Sequence, residues 1–130
     1  MNRISIENKT EDLIDKKHID QITKEALKVF NKDHSFVEII FVNKEEIGGL
    51  NQKYRNVNAS TDVLSFPQPS IPEAPIEILG SVIINPQIVE QKKEKMDDVI
   101  KHGLLHLLGF DHEENEKEWI NSANKINCSL

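Results

Sequence analysis

Residues 102–112 read H-G-L-L-H-L-L-G-F-D-H, and this stretch decides how the rest of the chain is understood. Three of the five histidines fall within it. His102 and His106 are four apart, so on a helix they share one face, with Cβ atoms about 6 Å apart. Two imidazoles so placed can meet one metal ion through bonds of about 2.0–2.1 Å. Gly109 follows the helical run, and glycine readily takes the left-handed conformation that ends a helix. The chain can then turn and bring His112 to the same ion. Three neutral imidazoles leave the fourth tetrahedral position open, as in catalytic rather than structural zinc sites. A structural zinc in a small chain would be closed by cysteines, and Cys128 is the only one present. A single histidine on an apolar helix is usually a core or surface residue with a satisfied hydrogen bond. Three in this frame, with glycine at the break, point to a metal.

The helix carrying the first two histidines is expected to begin near Met96 or Asp97. Met96, Val99, Ile100, Gly103, Leu104 and Leu107 share a face, and Leu105 and Leu108 make the later half apolar nearly all round, so it should be buried. Downstream, Glu113 to Asn127 reads as a last helix with Trp119, Ala123 and Ile126 inward. Upstream, Asn85-Pro86 is a cap followed by a first-turn proline, opening a helix that ends in the charged run Q-K-K-E-K.

Before that, Ile76–Ile84 reads as a strand in which Gly80 marks a bulge or a close backbone approach. The prolines at 67, 69, 72 and 75 make an extended surface loop, read first as a guard against extra strand pairing and second as a wall of a cleft. Val63–Phe66 is a strand, preceded by the polar loop N-V-N-A-S-T-D. Asn43 caps a helix with Glu46 completing a capping-box-like pair. Ile47, Leu50 and Tyr54 form its inner face, and Arg55 ends it. Gly48 and Gly49 signify close packing or a weak helix there. Phe36–Val42 reads as a central strand. A helix from about Thr10 or Asp15 to Asn31 buries Ile19, Ile22, Ala26, Val29 and Phe30, and residues 2–8 alternate as a short strand. His18 and His34 are expected to face solvent.

At 130 residues, 38% hydrophobic and 29% charged, one domain spanning residues 1–130 is expected. No stretch approaches the roughly 20 apolar residues of a membrane span, and the N-terminus has no run fit for a signal peptide. One cysteine fits a reducing cytosol, so the location predicted is cytoplasmic, with Cys128 a bystander. A net charge of −6 argues against coating nucleic acid by bulk attraction, while leaving room for a local positive patch. Only two arginines exist, Arg3 and Arg55.

The frame H-x-x-x-H-x-x-G-x-x-H matches that of the metzincin proteases at every position but one: the glutamate that serves them as general base is Gly103 here. No methionine follows His112, so the supporting methionine turn is absent as well. The chain resembles instead the YbeY-type endoribonucleases, bacterial ribosomal-RNA maturation factors. The resemblance is carried by L-N-Q-K-Y-R at 50–55, T-D-V-L-S-F-P at 61–67, L-G-S-V-I-I at 79–84 and the histidine stretch itself, and it covers nearly the whole chain. It implies an α+β, zincin-like fold, a four-stranded mixed sheet flanked by about five helices. It implies one zinc ion per chain on His102, His106 and His112, with Arg55 functionally important. The activity implied is a single-strand-specific, metal-dependent endoribonuclease acting in 3′-end maturation of the small-subunit (16S) rRNA and in ribosome quality control. Its partners would be ribosomal RNA and small-subunit proteins and assembly factors, with no membrane.

Three departures stand out. Gly80-Ser81 replaces the usual Gly-Asp, the segment from Pro86 to His102 is short, and the tail after His112 is short and acidic. From its chemistry, Arg55 could grip a phosphate through two parallel hydrogen bonds, or be an exposed helix-end residue. Asp111 reads as a turn residue more than as a histidine orienter, and Asp62 as a strand brace without chemistry. Two other functions remain open at this point: a zinc-dependent peptidase-like hydrolase, disfavoured by the missing glutamate, and a ribosome-associated metal-binding factor with little catalysis of its own.

Overall fold

The computed structural model describes residues 2–69 and 71–129. The elements run β1 (Arg3–Asn8), α1 (Lys16–Val29), β2 (Ser35–Phe41), α2 (Lys44–Arg55), β3 (Val63–Pro67), β4 (Glu77–Ile84), α3 (Pro86–Gln91), α4 (Met96–Leu107) and α5 (Glu116–Lys125). The strands form one mixed sheet in the order β1-β2-β4-β3. β1, β2 and β4 are parallel, and β3 runs antiparallel to β4 as an edge strand. This is the α+β, four-stranded architecture expected, with five helices.

The parallel strands need helical crossovers, and these cover the two faces unequally. On one face α1, α4 and α5 bury Ile19, Ile22, Leu27, Leu104, Leu105 and Trp119 against Val37, Ile39, Phe41, Val82 and Ile84. On the other, α2 covers a smaller cluster of Val42, Ile47, Leu64 and Ile83, with Phe66 partly buried beside it. Alternation along a strand assigns each side chain to one face.

Local signals fixed most boundaries. Asp15, Asn43, Asn85 and Asn115 each accept a backbone N–H from the first turn of the helix that follows. Asn85 is fully buried and also donates to the Val42 carbonyl at 2.9 Å, tying the start of α3 to the end of β2. Gly80 has φ +133°, and a Cβ there would collide with the Phe66 carbonyl, so this is the close backbone approach read from its position. A register shift lies opposite it, between Phe36 and Val37.

Several expectations need correction. In α1 the buried stripe is Ile19, Ile22, Thr23, Ala26 and Leu27, while Val29 is exposed, one helical step off the stripe. In α2 Tyr54 is 58% exposed, and Asn51 takes the inward position, donating to the Ala59 carbonyl at 2.8 Å. The last helix starts at Glu116 rather than Glu113, because Asp111 folds the preceding residues into a turn. Cys128 is buried in the core against α4, where the Asp98 carboxylate also accepts from the Ser129 N–H. Gly48 packs tightly on Ser60, whereas Gly49 faces open space. Among the described residues no helix is long and apolar enough to cross a membrane.

Candidate metal centre

α4 lies across the sheet with its C-terminal end at the β3 edge. It gets close because residue 103 has no side chain: a Cβ there would stand 2.6 Å from Val82 Cγ1 and 3.3 Å from Ser65 Oγ. The Ser65 hydroxyl donates to the Gly103 carbonyl at 3.2 Å. A glutamate base at this position, as in the proteases with the same histidine frame, would have to displace the Val82 side chain.

α4 ends as its sequence predicts. Gly109 adopts φ +94°, its N–H reaches the His106 carbonyl, and the Phe110 N–H reaches that of Leu105. These are the paired bonds of a Schellman cap. The chain reverses, and the Asp111 carboxylate accepts from the Glu113 N–H at 2.8 Å, the turn role expected of it.

The reversal brings the three histidine rings together. Nε2 of His102 and Nε2 of His106 are 3.2 Å apart. Two nitrogens on one tetrahedral ion, each at about 2.0–2.1 Å, would be about 3.3 Å apart. His112 is farther out, its ring centroid 5.8 Å from His102 and 6.0 Å from His106, against 4.8 Å between those two. Among the described residues no three His, Cys, Asp or Glu side chains form a finished ligand set as they stand. His102 and His106 stand closest together, and His112 lies about 1 Å farther from either ring.

Trp119 of α5 touches all three rings, with centroid distances of 4.9, 5.1 and 5.2 Å to His102, His106 and His112. It is a buried apolar floor beneath the trio. The sequence marked it only as a core residue.

Electrostatics keep the pair neutral. Burial, and then the neighbouring imidazoles, push His102 down to about 4 from the usual 6.5. Burial also lowers His106, against the pull of Asp111 and a hydrogen bond with the Phe110 backbone, and the positive charge of Arg55 lowers it further. A neutral ring keeps a lone pair free for a metal. Nδ1 of His102 is buried and has no hydrogen-bond partner among the described residues.

The rings open into a cleft of about 530 Å³ whose other walls are Arg55, Thr61, Asp62, β3 and the turn at 109–114. Arg55 is held there by the end of α2. Asn56 caps the helix in the left-handed conformation, φ 57°, and Asn51 and Ser60 tie the following loop back onto α2. Among the described residues the cleft lining holds one arginine, Arg55, together with the carboxyls of Asp62, Asp111, Glu113 and Glu114.

Asp62 braces β3 as expected, accepting from the Val63 N–H at 2.9 Å and the Thr61 hydroxyl at 3.2 Å. Its other partner is distant in the chain and carries no local signal. Glu94, in the turn between α3 and α4, lies within hydrogen-bonding reach of its carboxyl, and Lys92 Nζ is 3.6 Å from Asp62 Oδ1. Burial and the facing Asp62 push Glu94 up to about 7. Burial works to raise Asp62, but the bond from Glu94 and the charge of Lys92 outweigh it and leave Asp62 low. The turn that brings Glu94 here holds Lys93 at φ 58°.

Ser81 belongs to the opposite side of the sheet. Its neighbour Val82 meets Gly103, so Ser81 faces the α2 side, where it donates to the Glu38 carboxylate at 2.9 Å. The carboxylate missing at 81 is thus not missing from the histidine cleft. His34 lies before β2, away from the cleft. His18 is exposed as expected, yet its Nε2 lies 2.9 Å from Asp97, which raises its pKa and links the start of α1 to that of α4.

Sheet, buried helix and cleft together define an α+β protein with a histidine trio at the open edge of its sheet. A solved protein of this shape is TM1509 from Thermotoga maritima, with a TM-score of 0.62 and 26% identity, covering 95% of this chain and 85% of that one. The chain belongs to the endoribonuclease YbeY family, whose sequence model matches residues 4–126. Relatives named endoribonuclease YbeY include that of Aliarcobacter butzleri, 39% identical across 88% of this chain and 83% of the relative. That of Sulfurimonas denitrificans is 38% identical across 78% and 74%, and that of Coxiella burnetii 39% identical across 82% and 76%.

Proposed function

We propose that the chain is a metal-dependent endoribonuclease that cuts single-stranded RNA in the cleft between α4 and the β3 edge. The observation that supports this most directly is the approach of the His102 and His106 Nε2 atoms to 3.2 Å, in a cleft shared with Arg55, in a chain of this family. His102, His106 and His112 would hold one ion, and the chemistry of three neutral imidazoles selects zinc. When bound, such an ion supplies a lowered pKa for water or polarises a phosphoryl oxygen.

The remaining work falls to the chain's own residues. Arg55 binds a phosphate and offsets charge that builds on it, through up to two parallel hydrogen bonds. Burial keeps His102 and His106 unprotonated at neutral pH, so they do not compete as cations for that phosphate. Trp119 excludes water beneath the rings. Glycine at 103 leaves out the base on which peptide hydrolysis in the same frame depends. In the cell the substrate is the 3′ region of the small-subunit (16S) rRNA, met in the cytoplasm during maturation and quality control, alongside small-subunit proteins and assembly factors.

The test pairs metal analysis with RNA cleavage on the same samples of wild type, His106→Ala and Arg55→Ala. Wild type is expected to carry about one zinc per chain and to cut single-stranded RNA. His106→Ala should lose both. Arg55→Ala should keep the zinc and lose most of the cleavage. Loss of zinc from Arg55→Ala would make that residue structural, and cleavage untouched by a strong chelator would refute the metal's part.

A further inference from the structure

The last turn of α2 leaves a large aromatic side chain in solvent, on the α2 side of the sheet and next in sequence to the cleft residue Arg55. Tyr54 is 58% exposed, although Ile47 of the same helix is buried in the small cluster under α2 and Leu50 is partly buried against it. The ring is not loose. Phe66 of β3 meets it edge-on, with centroids 5.3 Å apart and planes at 68°, and Phe66 is itself packed on that cluster. Lys53 Nζ stands over the ring, 5.1 Å from its centroid, so a base that stacks on that face displaces an exposed, flexible cation. The next residue, Arg55, lines the cleft, and its charge is felt at His106.

We propose that Tyr54 is a stacking seat for one unpaired base of the RNA strand, with the adjoining phosphates on Arg55 and Lys53. This rests on the endoribonuclease reading above and adds to it a residue that positions the strand. Charge sets where the strand lies. Asp62, Asp111, Glu113 and Glu114 of the cleft lining repel a polyanion, whereas Lys53 and Arg55 attract it, so the strand is held over the end of α2. Aromatic rings bind any base through its π face and need that face free, which a base inside a duplex does not offer. A ring braced by Phe66 loses little freedom on stacking, so more of the contact appears as affinity. The seat thereby selects single strands without selecting sequence.

Tyr54 is the only tyrosine in the chain, so fluorotyrosine labelling gives one fluorine NMR line that reports this ring alone. The probe is a short single-stranded RNA with 2′-O-methyl riboses, titrated into the zinc-loaded protein. The line is expected to shift with the single strand and to stay in place with the same RNA as a duplex. Tyr54→Ala is expected to bind the single strand about five- to 150-fold more weakly. Tyr54→Phe and Tyr54→Trp, which keep the π face and the brace, should stay within about two-fold of wild type. A single strand that binds without moving the line, or binds Tyr54→Ala as tightly as wild type, overturns the seat and leaves the endoribonuclease reading standing. A duplex that moves the line equally overturns it too. A wild type that neither binds nor cuts RNA overturns the reading itself, and the seat with it.

Discussion

At the head of β3 the carboxyls of Asp62 and Glu94 face each other, and this fixes the sign of their effect on stability. Glu94 stands near its usual 4.5 in the unfolded chain and is pushed up to about 7 in the folded one. Between these values the folded chain binds more protons than the unfolded chain, so stability falls as pH rises, and the loss is complete above pH 7. Glu94→Gln keeps a neutral donor toward Asp62. It should match wild type near pH 4.5 and exceed it at pH 8 by about 1 kcal/mol after allowance for solvent screening, which thermal melts would read as a Tm about 2–6 °C higher. A difference that does not change with pH would mean that folding does not raise Glu94. His102 tilts the metal-free protein the other way. Its value falls from 6.5 to about 4 on folding, so between these pH values the unfolded chain binds more protons and stability rises with pH. Gly103 is a steric case. Alanine there meets the fully buried, stiff Val82, an overpacking cost of about 1–3 kcal/mol. The helix propensity it gains is worth about 1 kcal/mol. A net loss of stability in urea titration is expected, and glutamate should lose more.

At the scale of the element, the cap of α4 connects stability to the site. Gly109 at φ +94° has open space around it, so Gly109→Ala meets no clash and suffers only in its backbone. A left-handed alanine costs about 1–2 kcal/mol. Because the same residue aims the chain toward His112, the variant is also expected to bind zinc more weakly, with His102 and His106 undisturbed on their helix. Calorimetric titration with zinc checks this, and an unchanged affinity would show that His112 reaches the ion without the cap. This element was legible in advance because its signals are local: four-residue spacing, an apolar stripe and a glycine stop. α2 was less so. Its cap and end were readable from Asn43 and Arg55, but the assignment of Tyr54 inward assumed an apolar stripe that the narrow cover over Ile47 and Leu64 does not extend to residue 54.

For the whole molecule, metal and folding should be linked by mass action. An ion bound only by the folded state stabilises it by about 2.7 kcal/mol at a hundred times its Kd. Added zinc should therefore raise the Tm of wild type and leave that of the variant with His102, His106 and His112 all changed to alanine where it was. In a chain of net charge −6, the last turn of α2 offers the strand two cations, Lys53 and Arg55. Two phosphate contacts to a single strand predict a slope of about −1.4 for log affinity against log salt. A much steeper slope would mean a broader cationic surface than these two residues.

By itself the sequence determined the strands and helices, the pairing of His102 with His106 on one face, the turn at Gly109 and the place of Arg55 at a helix end, because spacing, caps and stops act within a few residues of one another. The tertiary structure alone decided which groups from distant parts of the chain meet. It set Trp119 under the three rings, brought Glu94 to Asp62, turned Ser81 to the face away from the histidines and left Tyr54 in solvent. Those outcomes follow from how α4 seats on the sheet and how unequally the helices cover its two faces, and that packing is a property of the whole chain.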